Sequence, residues 1–511
     1  MAFQKSYGYR APVYWKRVPE SQKISPTEEQ KVVIYELEEW IFSRSNPCLV
    51  AMVNGGAGTG KSATNAFLIS RIAESYGSYS QGLDFLNNQL ILCAPTHKAC
   101  REAEGKMQAF GIDKEFVTLA RLLGLREHIC DRTGKKTFTQ QAEVELPPST
   151  RLIVVDEISM VSQYLYDRLL EAISDLNEVR ALLYGAPPAK LLLVGDHRQL
   201  TPVNEPLCSA FRDDDILSFQ LEQIVRHTGP ILDQSLRTRA VESCRPTFKT
   251  IGDGSEVWAT GSQSKFELEF VKRLKQAHEN GEPAGNVVAL ASSNKRVNEL
   301  CELGRKAIYG PHAKPFELRE LLVSTDVIKK PGSSAILCHS TTYLDVLQVE
   351  QEIVLFDYLW SIADELQERG YTEPWKQPFR AWTISAQKIH SNQVEPIRFT
   401  TIDKDSLAAF KQLHEAVKAV AKDQKSKEER RRIFRDYYYK MESDNAPVRS
   451  AMALTIHRSQ GSTIENVFVD FADIDSFRQN RRNSKSWNRS SYTAVTRASK
   501  FLGIYEPRIR R

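Results

Sequence analysis

Leu49-Val50-Ala51-Met52-Val53 runs into Asn54-Gly55-Gly56-Ala57-Gly58-Thr59-Gly60-Lys61-Ser62, and a helical stretch, Ala63–Ser75, follows. Five apolar residues closed by glycines read as a buried strand. The loop has the form G-x-x-x-x-G-K-[ST] in strand–loop–helix order. Its glycines let the backbone curl until the N–H groups of Gly55, Gly56, Ala57, Gly58, Thr59 and Gly60 point into one anion-sized hollow. The next helix adds the positive end of its dipole. Lys61 supplies a point charge for β- and γ-phosphates, and Ser62 a hydroxyl for Mg²⁺. The stretch predicts an α/β fold around a nucleotide site, with ATP and Mg²⁺ as ligands.

Working outward, similar apolar runs recur at Gln89–Ala94, Leu152–Val155 and Lys190–Val194, separated by helical segments. That alternation predicts a parallel sheet covered by helices, with ligands at the carboxyl ends of the strands. The third run ends in Asp156-Glu157. Asp156 is expected to hold Mg²⁺ and Glu157 to polarise the attacking water. The fourth ends in Gly195-Asp196-His197-Arg198-Gln199, where Gln199 is the candidate for sensing the γ-phosphate. A turn-rich segment, Asp131–Lys136, predicts a hairpin inside an insertion over 114–148. A second alternating region starts at Asn286 and resumes at Ser450, around a long insertion. Within it, Asp405–Lys440 reads as a charged helix or helix pair.

Composition sets the outer limits. At 511 residues, the chain has room for about three or four domains. Its 69 Lys+Arg against 64 Asp+Glu give +5, too mild for a polybasic packaging protein or an acidic chaperone. With 41% hydrophobic residues it is not disordered overall. No apolar run approaches the roughly 20 residues of a membrane span, and the basic N-terminus lacks the apolar core of a secretory signal. The eight cysteines form no C-x-x-C pair, so reduced, buried thiols in a cytoplasmic protein are expected.

Taken in order, these loops resemble the motifs of superfamily 1 helicases. VNGGAGTGKS is similar to the Walker A loop, VVDEISM to Walker B, and VGDHRQLTPV to motif III. Ser25–Gln30 resembles the adenine-reading motif, which makes Gln30 the reader. Ala94–Ala99 resembles motif Ia and Val117–Gly124 motif Ib. Leu221–Arg226 is similar to the segment with the first arginine finger, Arg226. Ala453–Thr463, with Gly461 at the nucleotide, resembles motif V. Tyr492–Ala498 resembles motif VI, with Arg497 the second finger.

Within the superfamily the likeness is to the RecD-like branch, especially the phage Dda-like helicases. It implies two RecA-like motor domains, each carrying an inserted subdomain, and 5′→3′ movement on single-stranded DNA. The implied division is a basic arm 1–24; a first motor over 25–113 and 149–245; a wedge hairpin in 114–148; a second motor over 246–330 and 450–511; and an SH3-like and helical insertion 331–449. The family's Asn-Gly turn is absent from Ser340–Asp345, and the arm has no counterpart in it. The implied DNA contacts are Pro95, Thr96, Lys98, Thr118, Thr455 and His457, and the implied partners are single strands and duplex junctions, gripped by a monomer in a bacterial or phage-infected cell. Replication, recombination or defence proteins are further possible partners. Two basic segments with aromatics, Lys422–Lys440 and Arg478–Arg489, suit a solvated face and a nucleic-acid channel respectively. Two other readings stay open: the same motor on RNA, and an ATP-gated clamp without processive unwinding.

Overall fold

The computed structural model describes residues 14–15, 25–129, 136–140, 142–202, 205–225, 229–239, 250–252, 254–283, 285–333, 335–389, 395–478 and 484–507. The turn at 131–135 and Arg226 lie outside the described residues. The chain forms two compact units. One comprises Met1–Arg126, Gln140–Ser243 and Asn488–Thr496; the other Glu127–Thr139, Cys244–Trp487 and Arg497–Arg511.

The first unit is built on a six-stranded sheet. Its spatial order is Leu217–Leu221, Val50–Gly55, Lys190–Gly195, Leu152–Val155, Leu90–Ala94 and Phe116–Thr118. Every pairing is parallel. The central strands are buried along their whole length, which is why they read as unbroken Val/Leu/Ile runs rather than alternating ones. On one face Val33, Leu37, Leu68, Ile72 and Met107 cover the sheet. On the other lie Leu119, Leu122, Tyr166, Leu169 and Ile173. Register sets Val53 beside Val194 and Val155 beside Leu193. The loops after Gly55, Val155 and Gly195 therefore open at one edge.

Two features depart from the sequence reading. Phe116–Thr118 is a sheet strand beside Leu90–Ala94, although it falls within the expected insertion 114–148. Three residues are too few to show a periodicity, and only their burial marks them. The paired arms of the expected hairpin are Leu125–Ile129 and Lys136–Gln140. Part of the N-terminal arm also joins the fold, because Tyr14–Trp15 pairs antiparallel with Ile112–Asp113.

The second unit has its own six-stranded sheet, in the order Thr250–Gly252, Ser255–Thr260, Ala498–Tyr505, Ile464–Asp470, Val287–Ala291, Ala453–Thr455. All its pairs are parallel except the first. Phe468 anchors this core, with ring centroids of Phe266, Phe270 and Phe501 at 5.6, 5.3 and 5.2 Å. Both cores are RecA-like α/β sheets.

The insertion is a five-stranded antiparallel sheet: Ile397–Ile402, Phe379–Lys388, Tyr343–Val354, Leu321–Ser324, Val448–Ser450. It begins before residue 331, since Leu321–Ser324 is one of its strands. Helix Lys404–Asp423 and the shorter Lys427–Ile433 pack on it through Phe410, Leu413, Val417 and Ile433. The tyrosines at 437–439 belong to this packing. Tyr437 is buried, and Tyr438 stacks on His414 at 3.9 Å and 8°. No helix among the described residues is long and apolar enough to cross a membrane.

Removing the ring in Phe468→Ala leaves a cavity among three aromatic neighbours. A loss of about 3–5 kcal/mol is expected, read as an earlier denaturant midpoint for the second unit. A loss below about 1 kcal/mol would contradict this packing.

Candidate nucleotide site

The loop after Val50–Gly55 is tightly wound. Gly58 and Gly60 sit at φ 85° and 82°, in the left-handed region that glycine adopts without a steric penalty. There is no room for side chains. A methyl group built on Gly55 would lie 2.7 Å from Thr59 Oγ1 and 3.0 Å from Leu221 Cβ, and one on Gly60 would collide with the Gln30 amide. Lys61 opens the following helix, Lys61–Ser75, and its ammonium donates to the carbonyls of Gly55 and Gly56 at 2.7 and 3.0 Å. Ser62 is half-buried beside it.

Gln30 supports the loop from below. Thr27 caps helix Glu28–Phe42, and Gln30 closes the capping box by accepting the Thr27 N–H at 3.0 Å. Its Nε2 donates to Thr59 O at 3.1 Å. The side chain expected to read adenine is thus buried and fixed against the loop. Downstream, Glu29 accepts the N–H groups of Glu222 and Gln223, and Val225 N–H donates to Gly58 O at 2.8 Å. This bond holds the residue preceding Arg226 on the loop.

Asp156 ends the strand Leu152–Val155 and is buried, with its N–H on Cys93 O. Burial raises its pKa, and the neighbouring Glu157 raises it further, while Lys106 and Lys61 oppose the shift. Glu157 has φ 54°, ψ 43°, a left-handed conformation costing a non-glycine residue about 1–2 kcal/mol. Its N–H donates to Asp156 Oδ1 at 2.9 Å, and its Oε2 is buried without a hydrogen-bond partner. Strain and an unsatisfied carboxylate oxygen coincide at the residue expected to act on water. The donor set (a hydroxyl, a buried carboxylate and an orphaned carboxylate oxygen) suits a hard, oxygen-seeking cation such as Mg²⁺.

Gln199 is buried, and its Nε2 lies 3.4 Å from Asp196 Oδ2. Asp196 is fully buried and also takes the Arg198 N–H at 3.0 Å. Two residues that the sequence reading gave no role close the site. Tyr492 accepts the Ala57 N–H at 2.7 Å, and its own hydroxyl is bound to the Asp196 carboxylate. Burial and that carboxylate both push its pKa up. Arg239 lies against Gly56. Neither carries a spacing signal, because each reaches the loop from far along the chain.

The expected nucleic-acid residues differ in availability. Pro95 is half-buried; Thr96 is exposed and caps helix His97–Gln108, accepting the Ala99 N–H. Lys98, expected by motif position to contact nucleic acid, is buried and lies 3.5 Å from Glu102. Thr118 is buried and accepts the Arg121 N–H at 3.3 Å. In the second unit Thr455 is buried at a strand end, His457 is exposed, and Gly461 has φ 85°. Arg497 is buried there, and its guanidinium donates to Ser462 O at 3.3 Å. Trp487, in the basic segment Arg478–Arg489, packs on Phe471 with centroids 6.2 Å apart.

Residues 41–205 match the AAA domain model, and 450–505 match that of the UvrD-like helicase C-terminal domain. A protein of Acanthamoeba polyphaga mimivirus is 23% identical over 91% of this chain and 96% of its own. The ATP-dependent DNA helicase dda of Enterobacteria phage T4 is 22% identical over 83% of this chain and 89% of its own. RecBCD enzyme subunit RecD of Mycobacterium tuberculosis is 33% identical over 36% of this chain and 29% of its own. Both family models fall on segments of the two RecA-like cores, and the chain is similar to superfamily 1 helicases of the RecD and Dda type.

Proposed function

We propose that this chain is an ATP-driven DNA helicase that moves 5′→3′ on single-stranded DNA and separates duplex at a hairpin wedge. The observation that carries the ATPase reading is the meeting of three strand ends. The wound loop with Lys61, the strained Asp156-Glu157 pair and buried Gln199 open at one edge of one sheet. The similarity to Dda over most of both chains supports DNA as the track.

In this reading the loop N–H groups and Lys61 hold the phosphates. Ser62 and Asp156 would hold magnesium, which supplies positive charge to the phosphate oxygens. The free Oε2 of Glu157 accepts the proton of the attacking water. Gln199 reports the terminal phosphate through Asp196. Arg226 and Arg497 are assigned the arginine-finger roles, each class of contact being worth roughly 10³–10⁵ in rate. Thr96 and Thr118 on the first unit, and Thr455 and His457 on the second, are assigned to the DNA backbone. Lys98 contributes field rather than direct contact, being paired with Glu102. The wedge is assigned to the arms Leu125–Ile129 and Lys136–Gln140. The protein acts as a monomer.

Lys61→Ala is expected to abolish turnover, and Glu157→Gln to retain ATP binding while hydrolysis falls by about 10² or more. Parental hydrolysis by Glu157→Gln, measured as phosphate release, would remove Glu157 from the mechanism. Glu157→Gly should leave the thermal midpoint unchanged or higher, because glycine relieves about 1–2 kcal/mol of backbone strain; a clear drop in scanning calorimetry would argue against that strain. Polarity is tested with tailed duplexes in ATP and Mg²⁺. A 5′ single-stranded tail should support unwinding and a 3′ tail should not; equal activity, or preference for the 3′ tail, overturns the direction.

A further inference from the structure

Arg239 ends the helix Gly229–Arg239, and its backbone carbonyl accepts from the Arg198 guanidinium at 2.7 Å. Its side chain lies on the phosphate loop. A methyl group built on Gly56 would be 2.9 Å from Arg239 Nη1 and 3.2 Å from its Cζ. The buried Nε has no hydrogen-bond partner, and no carboxylate among the described residues is paired with this guanidinium.

Lys61 donates to Gly55 O and Gly56 O. The ammonium and the guanidinium thus converge on one glycine, where like charges repel unless an anion lies between them. A guanidinium is a planar fork of donors suited to phosphate oxygens, and it does not relieve the repulsion by losing its proton. Tyr492 closes the same spot, its hydroxyl 3.3 Å from the methyl built on Gly56 and fixed by the Ala57 N–H. The P-loop lysine is the one that reaches β- and γ-phosphates, so a second cation at the same glycine faces that end of a nucleotide.

We propose that Arg239 is a phosphate-contacting residue that binds the terminal phosphate beside Lys61 and discriminates triphosphate from diphosphate. This rests on the reading of the loop as an ATPase site. It adds a third arginine to the two assigned by motif.

The test uses the full chain with fluorescent ADP and a slowly hydrolysed ATP analogue. In Arg239→Gln, affinity for the triphosphate should fall about ten-fold or more, as for loss of a charge-assisted contact, while affinity for ADP stays within about two-fold. Turnover should fall on the order of 10². Arg239→Lys should retain part of the discrimination, and free guanidinium should restore part of the turnover of Arg239→Ala. Equal loss of ADP and triphosphate affinity would mean that the side chain only shapes the loop, and unchanged affinities and turnover would mean that it does not reach the phosphate; either result overturns the proposal. If the parental chain does not hydrolyse ATP and Lys61→Ala leaves triphosphate affinity unchanged, the ATPase reading itself fails and takes this assignment with it.

Discussion

The curl of residues 55–60 is the constraint on which the rest of the site depends. With φ positive at Gly58 and Gly60, and no space for a Cβ at Gly55 or Gly60, the backbone turns its polar groups outward in several directions at once. The carbonyls of Gly55 and Gly56 meet Lys61, Thr59 O meets Gln30, and Gly58 O meets the Val225 N–H. The Ala57 N–H meets Tyr492. Each neighbour is placed by a backbone group that an ordinary turn would not present. A side chain at Gly60 would displace Gln30, and with it the capping box that starts the first helix.

Electrostatics then does what the geometry permits. Asp156 is buried beside a second carboxylate, and both conditions penalise its charged form. Lys61 and Lys106 offset only part of that penalty, so the pair stores an unfavourable interaction that a divalent cation would relieve. Glu157 adds backbone strain to the same place. A sheet of fully buried apolar strands can hold such a residue, because moving it would unpack Leu152–Val155 from both neighbours.

How much of this was legible in the sequence follows from range. The wound loop, the Asp156-Glu157 pair and four strands of the first sheet were readable because each is a local pattern: an apolar run, then residues of unusual conformational freedom or charge. The reading failed where tertiary packing overrides local pattern. Phe116–Thr118 is too short to announce itself as a strand. Tyr437 and Tyr438 belong to a segment read as a solvated face, yet they pack into the core, Tyr438 against His414 and Phe434; Trp487, in the segment read as a nucleic-acid channel, packs against Phe471. Lys98 has a motif position but a buried environment, and periodicity does not carry burial for a single lysine. Arg239 was invisible because helix-terminal arginines are common and only a fold brings one to Gly56.

Tyr492 shows what such long-range contacts add. The Ala57 N–H donates to its hydroxyl, that hydroxyl binds Asp196, and Asp196 takes Gln199 Nε2. The first bond spans 435 positions in sequence. A change at the phosphate loop that draws the Ala57 N–H toward a phosphate oxygen removes one partner of Tyr492. The hydroxyl is buried, so the Asp196–Gln199 arrangement adjusts with it. The loop, Gln199 and the helix Ser484–Val495 are therefore joined by one chain of hydrogen bonds.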